Sequence, residues 1–251
     1  MTCSPKSQQE SKTEERLIVA LDVETAAKAR AVIAELQGVI GTYKIGLQLF
    51  ASAGSGLVRE LAESGIKIFL DLKFHDIPNT VAKAAVEAAR LGVWMFNVHS
   101  IGGSEMMKRT VGAVREVCEK DNLPVPKIIG VTVLTSSNEE ALHEIGIERK
   151  VEEQVLNLAK LTAKCGLDGV VASPLEVGPI RNAIARSDFL IVTPGIRPDF
   201  ATNNDQKRVM TPVDALETGS DYLIIGRPVI DAPDRLAAVK SILADMESVS
   251  E

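Results

Sequence analysis

KIFLDLKFHDIPNTVAKAAVEAARLG, residues 67–92, holds the pattern that decides the fold. It begins as an apolar strand over 67–73, runs into Asp71, Lys73, His75 and Asp76, and breaks at Pro78. From 79 to 91, Val81, Ala84, Ala85, Ala88 and Leu91 recur at three- and four-residue spacing, which predicts a helix with one apolar face. Gly92 closes it. A buried strand, a polar corner and an amphipathic helix make one βα unit.

The same alternation runs the length of the chain. Strands are predicted at 17–22, 42–47, 67–73, 94–100, 127–135, 169–174, 189–195 and 222–228. Helical patterns fall at 56–64, 79–91, 103–119, 151–165 and 233–247, and Gly65, Gly92, Gly166 and Gly219 close several of the helical stretches. Eight strands in 251 residues fit an α/β fold of one domain, a (β/α)8 or TIM barrel. A doubly wound open sheet is the rival, but it usually carries a glycine-rich loop after its first strand, and here that strand runs into LDVETAAKA. Without a linker or composition break, the barrel is expected over 17–251, preceded by a disordered polar leader at 1–16.

Composition narrows the function. The chain is 45% hydrophobic and 25% charged, and its net charge of −6 argues against electrostatic binding of nucleic acid. Only 4% is aromatic, whereas aliphatic residues abound, as in parallel strands covered on both faces. Cys3, Cys118 and Cys165 lack metal-type spacing and form an odd set, as expected of reduced thiols in the cytoplasm. The leader lacks the apolar segment of a signal peptide, and no later run is long enough to cross a membrane.

In such a barrel, active sites collect where strands end and βα loops begin. Polar residues recur there: Asp22, Lys44, Asp71 and Lys73, Asn97 and His99, Thr132 and Thr135, Gly226 and Arg227. Asp71 and Lys73 are two apart, so on a regular strand they share a face. If that face is the interior, both are partly dehydrated and must pair. Lys44 and Asp76 extend them into an alternating Lys–Asp–Lys–Asp series. Two plainer readings stand beside this: a buried ion-pair network that only braces the barrel, and Asp76 as a cap of the following helix.

The loops after strands 7 and 8 are the usual phosphate site of this fold, and IIGRP at 224–228 sets Gly226 and Arg227 there. The polar stretch 195–212 has the length of a lid, or of a plain surface loop. His75 and His99 are predicted on one rim, His75 facing away from Lys73, but His143 lies elsewhere and no metal site is expected.

The ordered motifs resemble those of the orotidine 5′-phosphate decarboxylase family, in its compact bacterial group. They are LDV at 21–23, YKIGLQLF at 43–50, DLKFHDIPNT at 71–80, WMFNVHS at 94–100, VTVLTS at 131–136, CGLDGVVAS at 165–173, VTPGIRP at 192–198 and IIGRP at 224–228. The likeness spans about 17–245. It implies a homodimeric barrel that removes CO2 from orotidine 5′-monophosphate to give UMP, with no metal and no organic cofactor. It further implies a catalytic tetrad of Lys44, Asp71, Lys73 and Asp76, with Asp76 reaching into the neighbouring subunit's site. The implied substrate-binding residues are Asp22, Lys44, Asp71, Thr80, Thr135, Arg197, Gln206, Gly226 and Arg227. Of these, Asp22 and Lys44 would hold the ribose, joined by Thr80 of the partner subunit. Thr135 would read the pyrimidine edge, and Gln206, Gly226 and Arg227 would grip the phosphate, with Arg197 nearby. Lys73 would stabilise the carbanion left by CO2 and then protonate it.

Two other classes are weighed against this. Sugar-phosphate enzymes of the same superfamily share Asp-x-Lys-x-x-Asp, but those that use Mg²⁺ need an acidic ligand at the end of strand 2, where this chain has Lys44. A binding barrel without chemistry has no need of both the charged series and the phosphate grip.

Overall fold

Eight short parallel strands close on themselves in chain order, each followed by helix or turn. They are β1 (Leu17–Ala20), β2 (Thr42–Gly46), β3 (Lys67–Phe74), β4 (Met95–His99), β5 (Lys127–Val131), β6 (Gly169–Val171), β7 (Leu190–Thr193) and β8 (Tyr222–Ile225). The ring is sealed where Leu17 and Ile18 of β1 pair with Leu223 and Ile224 of β8. The computed structural model describes residues 13–198 and 210–250. The predicted (β/α)8 barrel is therefore the fold.

Alternation along each strand sorts side chains into two layers, because successive residues point to opposite faces. Leu17, Val19, Tyr43, Ile45, Ile68, Leu70, Phe96 and Val98 face outward and pack with the helices in the main core. Ile18, Ala20, Phe69, Met95, Ile129, Val192 and Ile224 form a second cluster inside the barrel. The interior is thus a packed plug with no room for a pore.

The principal outer helices are Ala26–Glu35, Leu47–Glu63, Pro78–Arg90, Gly103–Lys120, Val151–Lys164 and Arg235–Glu247. The helix expected at 56–64 begins earlier, at Leu47, and breaks at Gly54, whose φ is 71°. Pro78 opens its helix at a position where a missing N–H costs nothing. Residues 13–16, assigned to the leader in the sequence reading, form a helical turn. Arg16 fastens that turn to the base of the barrel by donating to the carbonyls of Ser220 and Asp221. Residues 1–12 lie outside the described residues. Among the described residues, no helix is long and apolar enough to cross a membrane.

Candidate active site

The inward-facing series ends, on three neighbouring strands, with a strongly polar side chain. On β2, Lys44 follows Thr42; on β3, Asp71 follows Phe69; on β4, Asn97 follows Met95. Lys44 is 9% exposed and Asn97 only 1%. At that depth a polar group without a partner is costly, so the three strands must satisfy one another.

They do so around one carboxylate. Oδ1 of Asp71 accepts from Lys73 Nζ at 2.6 Å and from Asn97 Nδ2 at 2.7 Å. Its Oδ2 lies 3.3 Å from Lys44 Nζ. Lys44 Nζ lies the same 3.3 Å from Oδ1 of Asp22, just beyond the end of β1. The result is a continuous Asp22–Lys44–Asp71–Lys73 chain along the rim of β1 to β3. Burial pushes the Asp71 carboxyl up, but the charges of Lys44 and Lys73 and the hydrogen bonds from Lys73 and Asn97 outweigh it. Asp71 is held below its ordinary value.

The strand is not regular where this happens. Register with β4 jumps from Leu70↔Phe96 to Phe74↔Val98, so Asp71, Leu72 and Lys73 belong to a bulge. Lys73 has a φ of 51°, a left-handed conformation that costs a side-chain-bearing residue about 1–2 kcal/mol. Its backbone N–H, lost to the ladder there, donates to Asn97 Oδ1 at 2.8 Å. The predicted pairing of Asp71 with Lys73 holds, though a bulge rather than simple alternation brings them together.

A cavity of about 150 Å³ opens above this chain. Lys44, Asp71 and Lys73 line one side, and Phe69, Val131, Val171 and Ile224 supply an apolar floor. Thr135 lines it as well, from beyond β5. Gly226 lies beside Asp22: a Cβ placed on it would stand 3.0 Å from Asp22 Oδ2. Arg227 follows at the end of β8.

Arg197 is 8% exposed, and its backbone N–H donates to the Met210 carbonyl at 2.9 Å. A bridge between Ile196 and Met210 thereby pins both ends of the segment that the sequence suggests as a lid. Gln206, expected on that segment, lies outside the described residues.

Asp76 and Thr80 are not part of this cluster within the chain. Both are exposed, and neither lines the cavity. Asp76 Oδ1 accepts the neighbouring Ile77 N–H at 2.6 Å, and among the described residues Asp76 forms no ion pair. Around it, at the ends of β2, β3 and β4, Leu47, Ile77 and Ile101 are 60%, 67% and 45% exposed.

The His75 and His99 rings lie 5.5 Å apart. Burial, then the nearby His75 and Lys73, lower the His99 pKa below its ordinary value. Among the described residues, no three His, Cys, Asp or Glu side chains gather as a metal site.

The residue that the sequence reading left out of the site is Asn97. In the sequence it stands only as a polar strand end, yet it touches both Asp71 and Lys73. Its signal in the sequence is a lone amide set between Phe96 and Val98.

The family model described as "Orotidine 5'-phosphate decarboxylase / HUMPS family" matches residues 15–242, nearly the whole barrel. The chain belongs to this family. Among its relatives, the orotidine 5′-phosphate decarboxylase of Syntrophotalea carbinolica is 53% identical over 236 residues, 94% of this chain and 96% of that one. The enzyme of the same name from Geobacter sulfurreducens is also 53% identical, over 92% of this chain and 96% of its own length. Among solved structures, the Lactobacillus acidophilus orotidine 5′-phosphate decarboxylase superposes with a TM-score of 0.81 at 38% identity, covering 92% of this chain and 99% of that chain.

Proposed function

We propose that the protein is an orotidine 5′-phosphate decarboxylase, converting orotidine 5′-monophosphate to UMP and CO2 in pyrimidine biosynthesis. The observation that carries this is the Asp71 carboxylate at an apolar cavity, held between two lysine ammonium groups and flanked by an amide. Breaking the bond between the pyrimidine C6 and its carboxylate releases CO2 and leaves the electron pair on C6. The Lys73 ammonium stabilises that pair and passes one proton to C6; the neutral amine then recovers a proton from water. At an effective dielectric near 20, two unit charges 4 Å apart attract by about 4 kcal/mol, which corresponds to roughly 10³-fold in rate. The cation beside the reacting carbon is a side chain, so this reading requires no metal and no organic cofactor.

Asp22 and Lys44 hold the ribose, Thr135 meets the pyrimidine edge, and Gly226, Arg227, Arg197 and Gln206 bind the phosphate. The protein acts as a homodimer, in which Asp76 and Thr80 serve the neighbouring site. Support for this comes from the exposure of Asp76 and from the apolar Leu47, Ile77 and Ile101 on the same rim, which a second subunit would cover. Cytoplasmic location fits the free thiols of Cys118 and Cys165.

The second reading is the rival weighed from the sequence, an enzyme acting on sugar phosphates with Mg²⁺. Lys44 opposes it, since an ammonium 3.3 Å from both Asp22 and Asp71 occupies the place where a cation would bind. Incubation with orotidine 5′-monophosphate, with and without EDTA, separates these readings. Loss of the substrate's absorbance at equal rates in both supports the decarboxylase. No turnover, or turnover abolished by EDTA, removes it.

A further inference from the structure

We propose that Asn97 is a positioning residue of the decarboxylase centre: one carboxamide holds both the Lys73 backbone and the Asp71 carboxylate, and so aims the Lys73 ammonium. This rests on the decarboxylase reading above and extends it to a residue on a third strand.

The chemistry of the two partners fixes which way the amide points. A backbone N–H can only donate and an ionised carboxylate can only accept. Oδ1 must therefore face the Lys73 N–H, at 2.8 Å, and Nδ2 must face Asp71 Oδ1, at 2.7 Å. Lys73 needs such a hold, because its φ of 51° lies in the bulge where the ladder to β4 is interrupted. With the N–H tied to β4, the lysine side chain leaves the strand toward Asp71 Oδ1, the same oxygen that Asn97 grips.

Asn97 is 1% exposed and too deep to act as a surface bond that water could replace. No other uncharged side chain donates to Asp71 among the described residues. The groups around Asp71 are Lys44 on β2, itself paired with Asp22 beyond β1, Lys73 on its own strand, and Asn97 and His99 on β4. Of these, Asn97 alone reaches both the acid and the backbone of the proton donor.

Two variants separate the halves of this role. Asn97→Asp keeps an oxygen for the Lys73 N–H but sets a second carboxylate against Asp71; Asn97→Ala removes both bonds. Each is compared with wild type for kcat, UMP affinity, thermal unfolding and the pH dependence of kcat/KM. Both should lose about 10- to 100-fold in kcat, the worth of a hydrogen bond to a charged group. Binding of UMP should change by less than about threefold, since the effect belongs to the transition state. The acid limb of kcat/KM should move to higher pH, because Asp71 has lost a donor that favours its ionised form.

A kcat close to wild type in Asn97→Asp overturns the proposal. So does an unmoved acid limb, or a fall in activity that only tracks lost stability. Failure of both variants to fold also overturns it, by making Asn97 structural. If wild type itself does not decarboxylate the substrate, the functional reading falls instead. The ¹³C titration of the Asp71 carboxyl in wild type and Asn97→Asp, without any nucleotide, then still tests the contact: no upward shift in the variant overturns it.

Discussion

The Lys73 ammonium lies 2.6 Å from Oδ1 of Asp71 on a strand that turns left-handed at Lys73 itself to bring it there. A backbone conformation disfavoured for lysine is retained where its ammonium meets a largely buried carboxylate. Strain of this kind persists only when its surroundings over-determine it, here through Asn97, Lys44 and the barrel floor.

Lys73→Ala should therefore lower kcat by at least about 10³-fold, the loss expected for one preorganised charge in a low-dielectric site. Binding of UMP should survive, because the ribose and phosphate contacts proposed for Asp22, Lys44 and Arg227 lie on other strands. Isothermal titration alongside steady-state kinetics checks both. Near-normal turnover would assign the proton to another group.

Asp71 makes a prediction about pH. Its carboxyl is held below the ordinary value, despite burial, by Lys44, Lys73 and Asn97. A depressed carboxylate stabilises the fold above its unfolded value, near 4, and that contribution fades as pH falls through the folded value. Asp71→Asn takes the carboxylate from Lys73 and leaves Lys44 with Asp22 alone, and should cost about 3 kcal/mol at pH 7. In urea titrations the gap between variant and wild type should close below about pH 4. A gap independent of pH would mean that the loss is one of packing.

Much of this was legible in the sequence, because burial writes itself into apolar patterning. All eight strands fall where predicted, yet several end early: β1 stops at Ala20 rather than at Asp22, and β5 at Val131 rather than at Thr135. Val133 is as buried as a strand residue, and a hydrophobic pattern records burial, not the hydrogen-bond ladder. The bulge at Lys73 left no trace, since lysine is not a residue that announces a left-handed turn. Asn97 was missed for a related reason: a buried amide is identified by what it touches, and its partners lie 24 and 26 positions away.

The barrel also makes a purely steric prediction. A Cβ on Gly169 would stand 2.2 Å from the Leu190 carbonyl oxygen, which belongs to the β6–β7 ladder and cannot swing aside. Gly169→Ala should destabilise by about 1–3 kcal/mol through forced separation of the two strands. Gly56→Ala, in an exposed stretch of the helix Leu47–Glu63 with no atom within 4 Å of the new methyl, should instead stabilise by up to about 1 kcal/mol. Chemical denaturation of the two variants tests the contrast, and equal effects would show that the strands yield.

Asp76 leaves two readings that one experiment separates. Among the described residues of its own chain it accepts only the Ile77 N–H, is exposed, and stays out of the Asp22–Lys44–Asp71–Lys73 chain. If it completes the site of a second subunit, Lys73→Ala and Asp76→Ala homodimers are each inactive, because every site in either carries one lesion. Mixing them and allowing subunit exchange changes the arithmetic. In the hybrid, one site gathers both lesions, while the other joins an intact Lys73 to an intact Asp76 from its neighbour. That second site should recover near wild-type chemistry, so a fully hybrid population should show about half the wild-type activity per dimer. If Asp76 serves its own subunit, every site in the hybrid still holds one lesion and mixing restores nothing. Native mass spectrometry reports how much hybrid has formed, and hybrid without activity would end the shared-site reading.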